Sequence, residues 1–167
     1  GRETTRAIQL ARKRVAGLVG ASPREITFTS GGTEADNLAL KGAMMQTGGQ
    51  KKNRIITSSI EHDAILEPCK DLERMGIQVT YLPVTGDGLV RPSDFKDIIS
   101  QHDDVALVSI MYANNEIGTI NDVVFFLEIG LIRKLEGAVR TVYQPSVAFF
   151  RISINPFVPA LTADPET

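Results

Sequence analysis

Residues 105–113 read VALVSIMYA, a run in which Ser109 is the one polar side chain. Such a continuous apolar and β-branched run predicts a strand that is buried on both faces, which is typical of a parallel sheet. The polar residues 114–118, NNEIG, end this strand. A strand buried on both faces needs helices above and below its sheet, so helices and strands should alternate along the rest of the chain.

The sequence upstream of this strand does alternate in that way. Apolar residues recur at helical spacing between residues 2 and 19, and Gly20 ends that helix. Further helices are expected from Thr33, over residues 63–75 and from Pro92, and the shorter β-branched runs predict strands at residues 26–29 (ITFT), 54–59 (RIITSS) and 78–84 (QVTYLPV). The pattern predicts an α/β fold with a mainly parallel sheet and helices on both faces.

Capping signals indicate where two of these helices begin. Thr33 and Asp36 resemble a capping start, and Ser58 and Glu61 have the spacing of a capping box before the helix at residues 63–75. Pro68 is expected either to kink that helix or to begin a new first turn.

Composition excludes several classes of protein. The 167 residues carry 18 basic and 20 acidic side chains, for a net charge of -2, and no dense basic run supports nucleic-acid binding. Cys69 is the single cysteine, which excludes an internal disulfide, and with two histidines no metal-ligand spacing is present. No apolar stretch approaches the ~18 residues that span a bilayer. The composition fits a folded protein of a reducing compartment.

The character of the chain changes after Ile120. Five of the seven Phe residues lie in the last part, including both Phe-Phe pairs. A helix is expected over about residues 123–139 and little else is predicted. We therefore divide the chain into an α/β domain at residues 1–120 and a divergent tail at residues 121–167.

Three polar clusters each follow a predicted strand, the edge where open α/β sheets gather ligands. The first is Ser30-Gly31-Gly32-Thr33, where glycines and the free N–H groups of a helix start suit an anion such as phosphate. A tight strand-to-helix turn capped by Thr33 explains the same residues equally well.

The other two clusters are Glu61-His62 and Asn114-Asn115-Glu116. The His62 imidazole suits proton transfer or contact with an aromatic ligand, and the alternative is a histidine at a helix start. The two Asn amides suit a ligand oxygen, with Glu116 orienting them, and the alternative is a simple turn. Outside the clusters, Cys69 has the position of a packed thiol in a helix.

These clusters lie in three longer motifs, which read TFTSGGTEADNLALKG (residues 27–42), SSIEHDAILEPCKDLE (58–73) and VSIMYANNEIGTI (108–120). In order and spacing they resemble the cysteine desulfurases, pyridoxal-phosphate enzymes of the class V aminotransferase group, over residues 1–120. The selenocysteine lyases share these motifs and are the second resemblance. The family implies part of a fold-type I aminotransferase large domain that works as a homodimer.

The resemblance also implies roles for individual residues. Gly32 and Thr33 would hold the phosphate of pyridoxal 5'-phosphate, His62 would stack on its ring and take part in catalysis by proton transfer, and Asn115 would bond the phenolic oxygen. The implied reaction converts L-cysteine to L-alanine and passes sulfur, as a persulfide, to iron–sulfur cluster assembly or tRNA thiolation through an acceptor scaffold protein. The implied location is the cytoplasm, or the mitochondrial matrix in a eukaryote.

Two residues that the family requires have no counterpart after Ile120. Lys134 is the one lysine there, and its setting, LIRKLEG, is an amphipathic helical pattern without the family's His-Lys pair that forms the Schiff base. No cysteine follows Cys69 to carry the persulfide. We therefore expect a truncated, inactive desulfurase segment, and the alternative is a noncatalytic assembly or regulatory fragment that pairs with a full-length desulfurase.

Overall fold

A computed structural model describes residues 1–18, 20–46 and 52–123 and the short strands at 142–143 and 149–150. Between residues 54 and 109 its strands and helices alternate as the sequence predicts. In chain order the elements are α1 (Arg2–Leu18), a 3-10 turn (Pro23–Glu25), α2 (Gly32–Gln46), β1 (Arg54–Ser58), α3 (Asp63–Arg74), β2 (Gln78–Leu82), α4 (Pro92–Gln101), β3 (Val105–Ser109), β4 (Val142–Tyr143) and β5 (Phe149–Phe150).

The first three strands form a parallel sheet in the order β2-β1-β3. The central strand, β1, pairs from Arg54 to Ser58 with β2 and from Arg54 to Thr57 with β3. Its register with β3 shifts after Arg54, so that Ile55 lies opposite Leu107 and Ala106 is the extra residue of an irregularity. The parallel ladders confirm the predicted α/β architecture.

Helices cover both faces of this sheet. On one face, Leu40 and Met44 of α2 and Ile65, Cys69 and Leu72 of α3 pack against Ile55 and Leu107. On the other face, Phe95 and Ile99 of α4 pack against Ile56, Leu82 and Val108. Alternate residues of β1 point to opposite faces, so adjacent Ile55 and Ile56 belong to the two different cores.

The strand predicted at residues 26–29 is wrong. Ile26 has an extended backbone, but no strand pairs with residues 26–29 in the part of the chain that the structure describes. The Ile26 carbonyl instead accepts a hydrogen bond from Arg12 Nε, and the Arg12 guanidinium lies over the Phe28 ring. The alternating sequence therefore specifies an extended backbone, whereas a strand requires a hydrogen-bonded neighbour.

Both predicted capping patterns are also wrong. Helix α2 begins at Gly32, ahead of Thr33, and Asp36 is fully buried. Helix α3 is capped by His62, while Ser58 donates to the Glu61 carboxylate within the protein. The Asp36 and Glu61 carboxylates are both buried within the fold. Helix α3 continues through the buried Pro68, so no new first turn begins there.

Most of the predicted tail, including its helix after Val123, lies outside the described residues. Within the tail, β4 and β5 form an antiparallel pair. The division at residue 120 stays a prediction. None of the helices in the described ranges is long and apolar enough to span a bilayer.

Candidate functional site

The Glu61 carboxylate connects the segments that follow β1 and β3. Its Oε1 accepts one hydrogen bond from Ser58 Oγ at 2.6 Å and another from the Met111 N–H at 2.8 Å. Met111 lies two residues after the end of β3, so the carboxyl ends of the two strands are tied together through one oxygen atom. Glu61 is only 6% exposed, which makes this a buried connection.

Burial raises the pKa of Glu61 from 4.5 to about 7. The hydrogen bonds from Ser58 and Met111 act against this shift because they stabilise the charged form, and the charge of the buried Asp36 adds to it. Asp36 belongs to the second turn of α2 and, like Glu61, is buried.

Asn114 makes a second connection between the same two segments. Its Nδ2 donates to the Ile60 carbonyl at 3.1 Å, while its Oδ1 accepts from the N–H groups of Glu116 and Ile117. Asn114 is therefore used within the protein, as the turn interpretation predicts. The proposed role of Glu116 in orienting it is reversed, because the Asn114 side chain holds the Glu116 backbone. The adjacent Asn115 is exposed.

The start of α2 is open to solvent. Gly31, Gly32 and Thr33 are exposed, and a Cβ atom added at Gly31 or Gly32 would meet nothing within 4 Å. The Glu34 carboxylate turns back to accept from the Ser30 N–H at 2.7 Å and from Ser30 Oγ at 2.6 Å. The N–H groups in the first turn of a helix have no partner within that helix, so this turn has the geometry of an anion site.

His62 lies at the beginning of α3 and is exposed. Its Nδ1 accepts a hydrogen bond from the Ala64 N–H at 3.0 Å, so the imidazole itself caps the helix. This bond requires an unprotonated Nδ1, which leaves the proton of the neutral ring on Nε2. The sequence alternative of a histidine at a helix start is thus correct, and the ring retains a donor at its free nitrogen.

The structure thus joins two of the three segments. The segments that carry His62 and Asn115 are bonded through Glu61 and Asn114. The four candidate residues, Gly32, Thr33, His62 and Asn115, are all exposed, and we refer to them as the border.

Cys69 does not belong to this border. It is fully buried in the core between α2, α3 and the sheet, and burial raises the pKa of its thiol to about 12. The prediction of a packed thiol is confirmed. Among the residues that the structure describes, no group of three His, Cys, Asp or Glu side chains has the arrangement of a metal site.

Two residues that the sequence analysis does not single out, Asn121 and Gly88, contact the segment around Asn115. Asn121 is 1% exposed, accepts from the Val90 N–H at 3.0 Å and donates to the Met111 carbonyl at 3.1 Å. Gly88 has a φ of 77°, and a Cβ there would lie 2.5 Å from Ile117 Cδ1. The sequence around Asn121, just after a polar turn, does not indicate its role. The sequence TGDG at residues 85–88, in contrast, indicates a turn at Gly88.

A parallel α/β sheet with polar residues after its strands is an architecture common to ligand-binding α/β domains. The sequence model of the family described as aminotransferase class-V matches residues 1–142. The chain belongs to this family, whose cysteine desulfurases use pyridoxal phosphate. The match extends into the first part of the predicted tail.

Individual relatives agree with this assignment. The chain is 50% identical over 123 residues to the cysteine desulfurase IscS of Dictyoglomus turgidum, a stretch that is 74% of this chain and 30% of the relative. A solved NifS-like protein superimposes with a TM-score of 0.76 at 38% identity, covering 87% of this chain and 38% of the other. A structure of SspA in complex with cysteine has a TM-score of 0.74 at 32% identity, with coverages of 85% and 39%. The chain spans about a third of the length of these relatives.

Proposed function

We propose that this chain carries the phosphate- and ring-binding part of a cysteine desulfurase that acts on L-cysteine. The observation that carries the proposal is the pair of hydrogen bonds, at Glu61 and Asn114, that joins the segments of His62 and Asn115. In this proposal a single ligand with a phosphate and a flat ring contacts both of these segments and the start of α2. The cysteine in the SspA structure, together with the IscS relatives, supports L-cysteine as the substrate class.

The residues of the border suit the parts of pyridoxal phosphate. The exposed first turn of α2, with Gly32 and Thr33, offers backbone N–H groups to the phosphate. The His62 ring, held by its Nδ1, presents a flat face and an Nε2 donor, and the Asn115 amide offers a donor to a ring oxygen. When bound, the cofactor supplies an electron sink for chemistry at the α-carbon of an amino acid.

His62 has the requirements of a proton carrier in that reaction. Its bond from Ala64 fixes the ring orientation and keeps Nδ1 unprotonated, so proton exchange is confined to Nε2. Sulfur transfer to a separate thiolate, which yields L-alanine, needs a cysteine other than the buried Cys69. The iron–sulfur or tRNA-thiolation acceptor is part of the proposal for the whole enzyme.

We also propose that the 167-residue chain alone performs no turnover. Lys134 is the one lysine after Ile120, and no cysteine follows Cys69. Cofactor would then be held by noncovalent contacts. Homodimer formation is supported by α1, in which Ala16 is buried while Leu10 and Leu18 are 50% and 76% exposed. A surface helix of this kind gains its stability from packing an apolar face.

The test is a titration of the full 167-residue chain with pyridoxal phosphate, followed by dialysis and borohydride treatment. We expect saturable binding that dialysis removes, no stoichiometric adduct at any lysine, and no alanine formed from cysteine. A stoichiometric borohydride-stable adduct at Lys134 would overturn the noncovalent assignment. Absence of saturable binding in a folded chain would overturn the site.

A further inference from the structure

The Glu61 carboxylate occupies a place where an ionisable group is costly. It is nearly buried, it precedes His62 in the chain, and both of its hydrogen bonds converge on Oε1. An apolar side chain of similar volume would avoid the desolvation cost but would leave the Met111 N–H without its acceptor. The presence of a carboxylate here therefore favours a role in positioning the segments that it joins.

The charged surroundings of Glu61 come from two helices. On α2, Asp36 lies near enough for its charge to act on Glu61, and on α3 the charge of Glu61 contributes to the raised pKa of Cys69. The adjoining ends of β1 and β3 offer the neutral hydroxyl groups of Ser58 and Ser109. Hydrogen bonds from Ser58 and from the Met111 N–H favour the charged form of the Glu61 carboxylate.

We propose that Glu61 is a positioning residue, whose bond to the Met111 N–H sets the separation between His62 and Asn115 across the ligand border. Glu61 is joined to His62 by one peptide bond, and three residues separate Met111 from Asn115. The identity of the ligand rests on the proposed function. The separation between His62 and Asn115 does not rest on the proposed function, because it depends on a contact within the protein.

The backbone of Met111 is well placed to transmit this restraint. Its N–H donates to Glu61, and its carbonyl accepts from Asn121 Nδ2, so both sides of one residue are held. With the first bond loosened, the Asn114–Ile60 bond still joins the segments, and the β1–β3 pairing still leads into them. A second tie should keep the fold intact while the spacing changes, which makes the effect measurable in a folded variant.

The experiment follows backbone amide signals of the full chain by ¹H–¹⁵N correlation spectroscopy between pH 5 and pH 9. Glu61→Gln removes the charge and the titration but keeps an oxygen that accepts from the Met111 N–H, Glu61→Met removes that acceptor, and Ser58→Ala removes one hydrogen bond to the carboxylate. Glu67→Gln, at an exposed carboxylate of α3, is the matched control. Pyridoxal phosphate affinity is measured in parallel by fluorescence at each pH.

In the wild-type chain we expect the amides of Met111, His62 and Asn115 to shift together with one midpoint near the Glu61 value. Glu61→Gln should remove this common transition, Ser58→Ala should move it to higher pH, and Glu67→Gln should leave it unchanged. Cofactor affinity in the wild type should exceed that of Glu61→Met at pH 8 by about fivefold, the factor that a typical net hydrogen bond provides.

The outcomes separate this inference from the proposed function. If wild-type chain binds no cofactor but the three amides follow Glu61, the ligand assignment fails and the positioning role stands. If Glu61→Met leaves the Asn115 amide at its wild-type position and the cofactor affinity unchanged at pH 8, the positioning role is overturned. A shift confined to Met111 would likewise reduce Glu61 to a local contact and overturn the proposal.

Discussion

Two groups of polar residues in the described chain differ in burial and in hydrogen bonding. The border residues Gly32, Thr33, His62 and Asn115 are exposed, whereas Ser58, Glu61, Asn114 and Asn121, the buried layer, are not. The buried layer joins the segments after β1 and β3 through hydrogen bonds, whereas the border residues are the ones that we propose bind a ligand. Stability and ligand binding should therefore respond to different substitutions.

The largest expected effect is the dependence of stability on pH through Glu61. Its folded pKa of about 7 exceeds the value of 4.5 for an ordinary glutamate, so the folded state binds more protons between these values. The stabilisation is complete below pH 4.5 and is lost as pH rises toward 7, a change of about 3 kcal/mol. Urea unfolding from pH 4.5 to pH 8 should show this slope in the wild type and a flatter one in Glu61→Gln. Equal slopes would contradict burial of this carboxylate.

A second prediction concerns Gly88, which packs under the turn after β3. Gly88→Ala forces an L side chain into a positive φ of 77° and places its Cβ against Ile117 Cδ1. We expect a loss of about 2 kcal/mol in the free energy of unfolding, measured by urea denaturation. Gly42→Ala, where a Cβ meets nothing within 4 Å, is the control and should stabilise α2. Equal stability of the two variants would show that the turn is not restrained.

A third prediction addresses the border directly. Gly32→Ala has room for its methyl group in the protein alone, so the midpoint of thermal unfolding should stay unchanged. The methyl group would lie where a phosphate approaches the backbone, and we expect pyridoxal phosphate to bind about tenfold more weakly. Thr33→Ala should weaken binding less, since backbone N–H groups hold most of the phosphate. Equal losses in the two variants would count against this geometry.

The smallest effect is expected at the start of α3. His62→Ala removes the acceptor for the Ala64 N–H and should lower the free energy of unfolding by about 1 kcal/mol. His62→Asn restores a capping side chain without an imidazole, and it should recover the stability but not the cofactor affinity. Recovery of both properties would show that His62 only caps helix α3 and does not contribute to cofactor binding.

Much of the fold follows from local patterns. The apolar run at residues 105–113 and the β-branched runs before it predict β1, β2 and β3, since a doubly covered parallel sheet needs such sequences. Residues 26–29 are also a β-branched run but are not a strand in the described structure, because strand pairing depends on a neighbouring strand that the local sequence does not specify.

The site divides in a similar way. The sequence motifs indicated His62 and the Gly31-Gly32 turn, because glycines and an imidazole after strands have chemical meaning by themselves. The sequence predicts that Ser58 and Glu61 cap a helix. This prediction is wrong because Glu61 bonds to the Met111 N–H, which lies 50 residues away in the chain. Asn114 and Asn115 are identical in type, and only their contacts distinguish the one used within the protein from the exposed one.

The sequence by itself determined the class of fold, the family and the residue types at the ligand border, because hydrophobic periodicity and short motifs are local properties of the chain. The tertiary structure decided which polar side chains are buried and what they bind. Burial and long-range hydrogen bonds depend on segments that meet only after the sheet has formed, and the Glu61 carboxylate acquires its raised pKa and its two partners there.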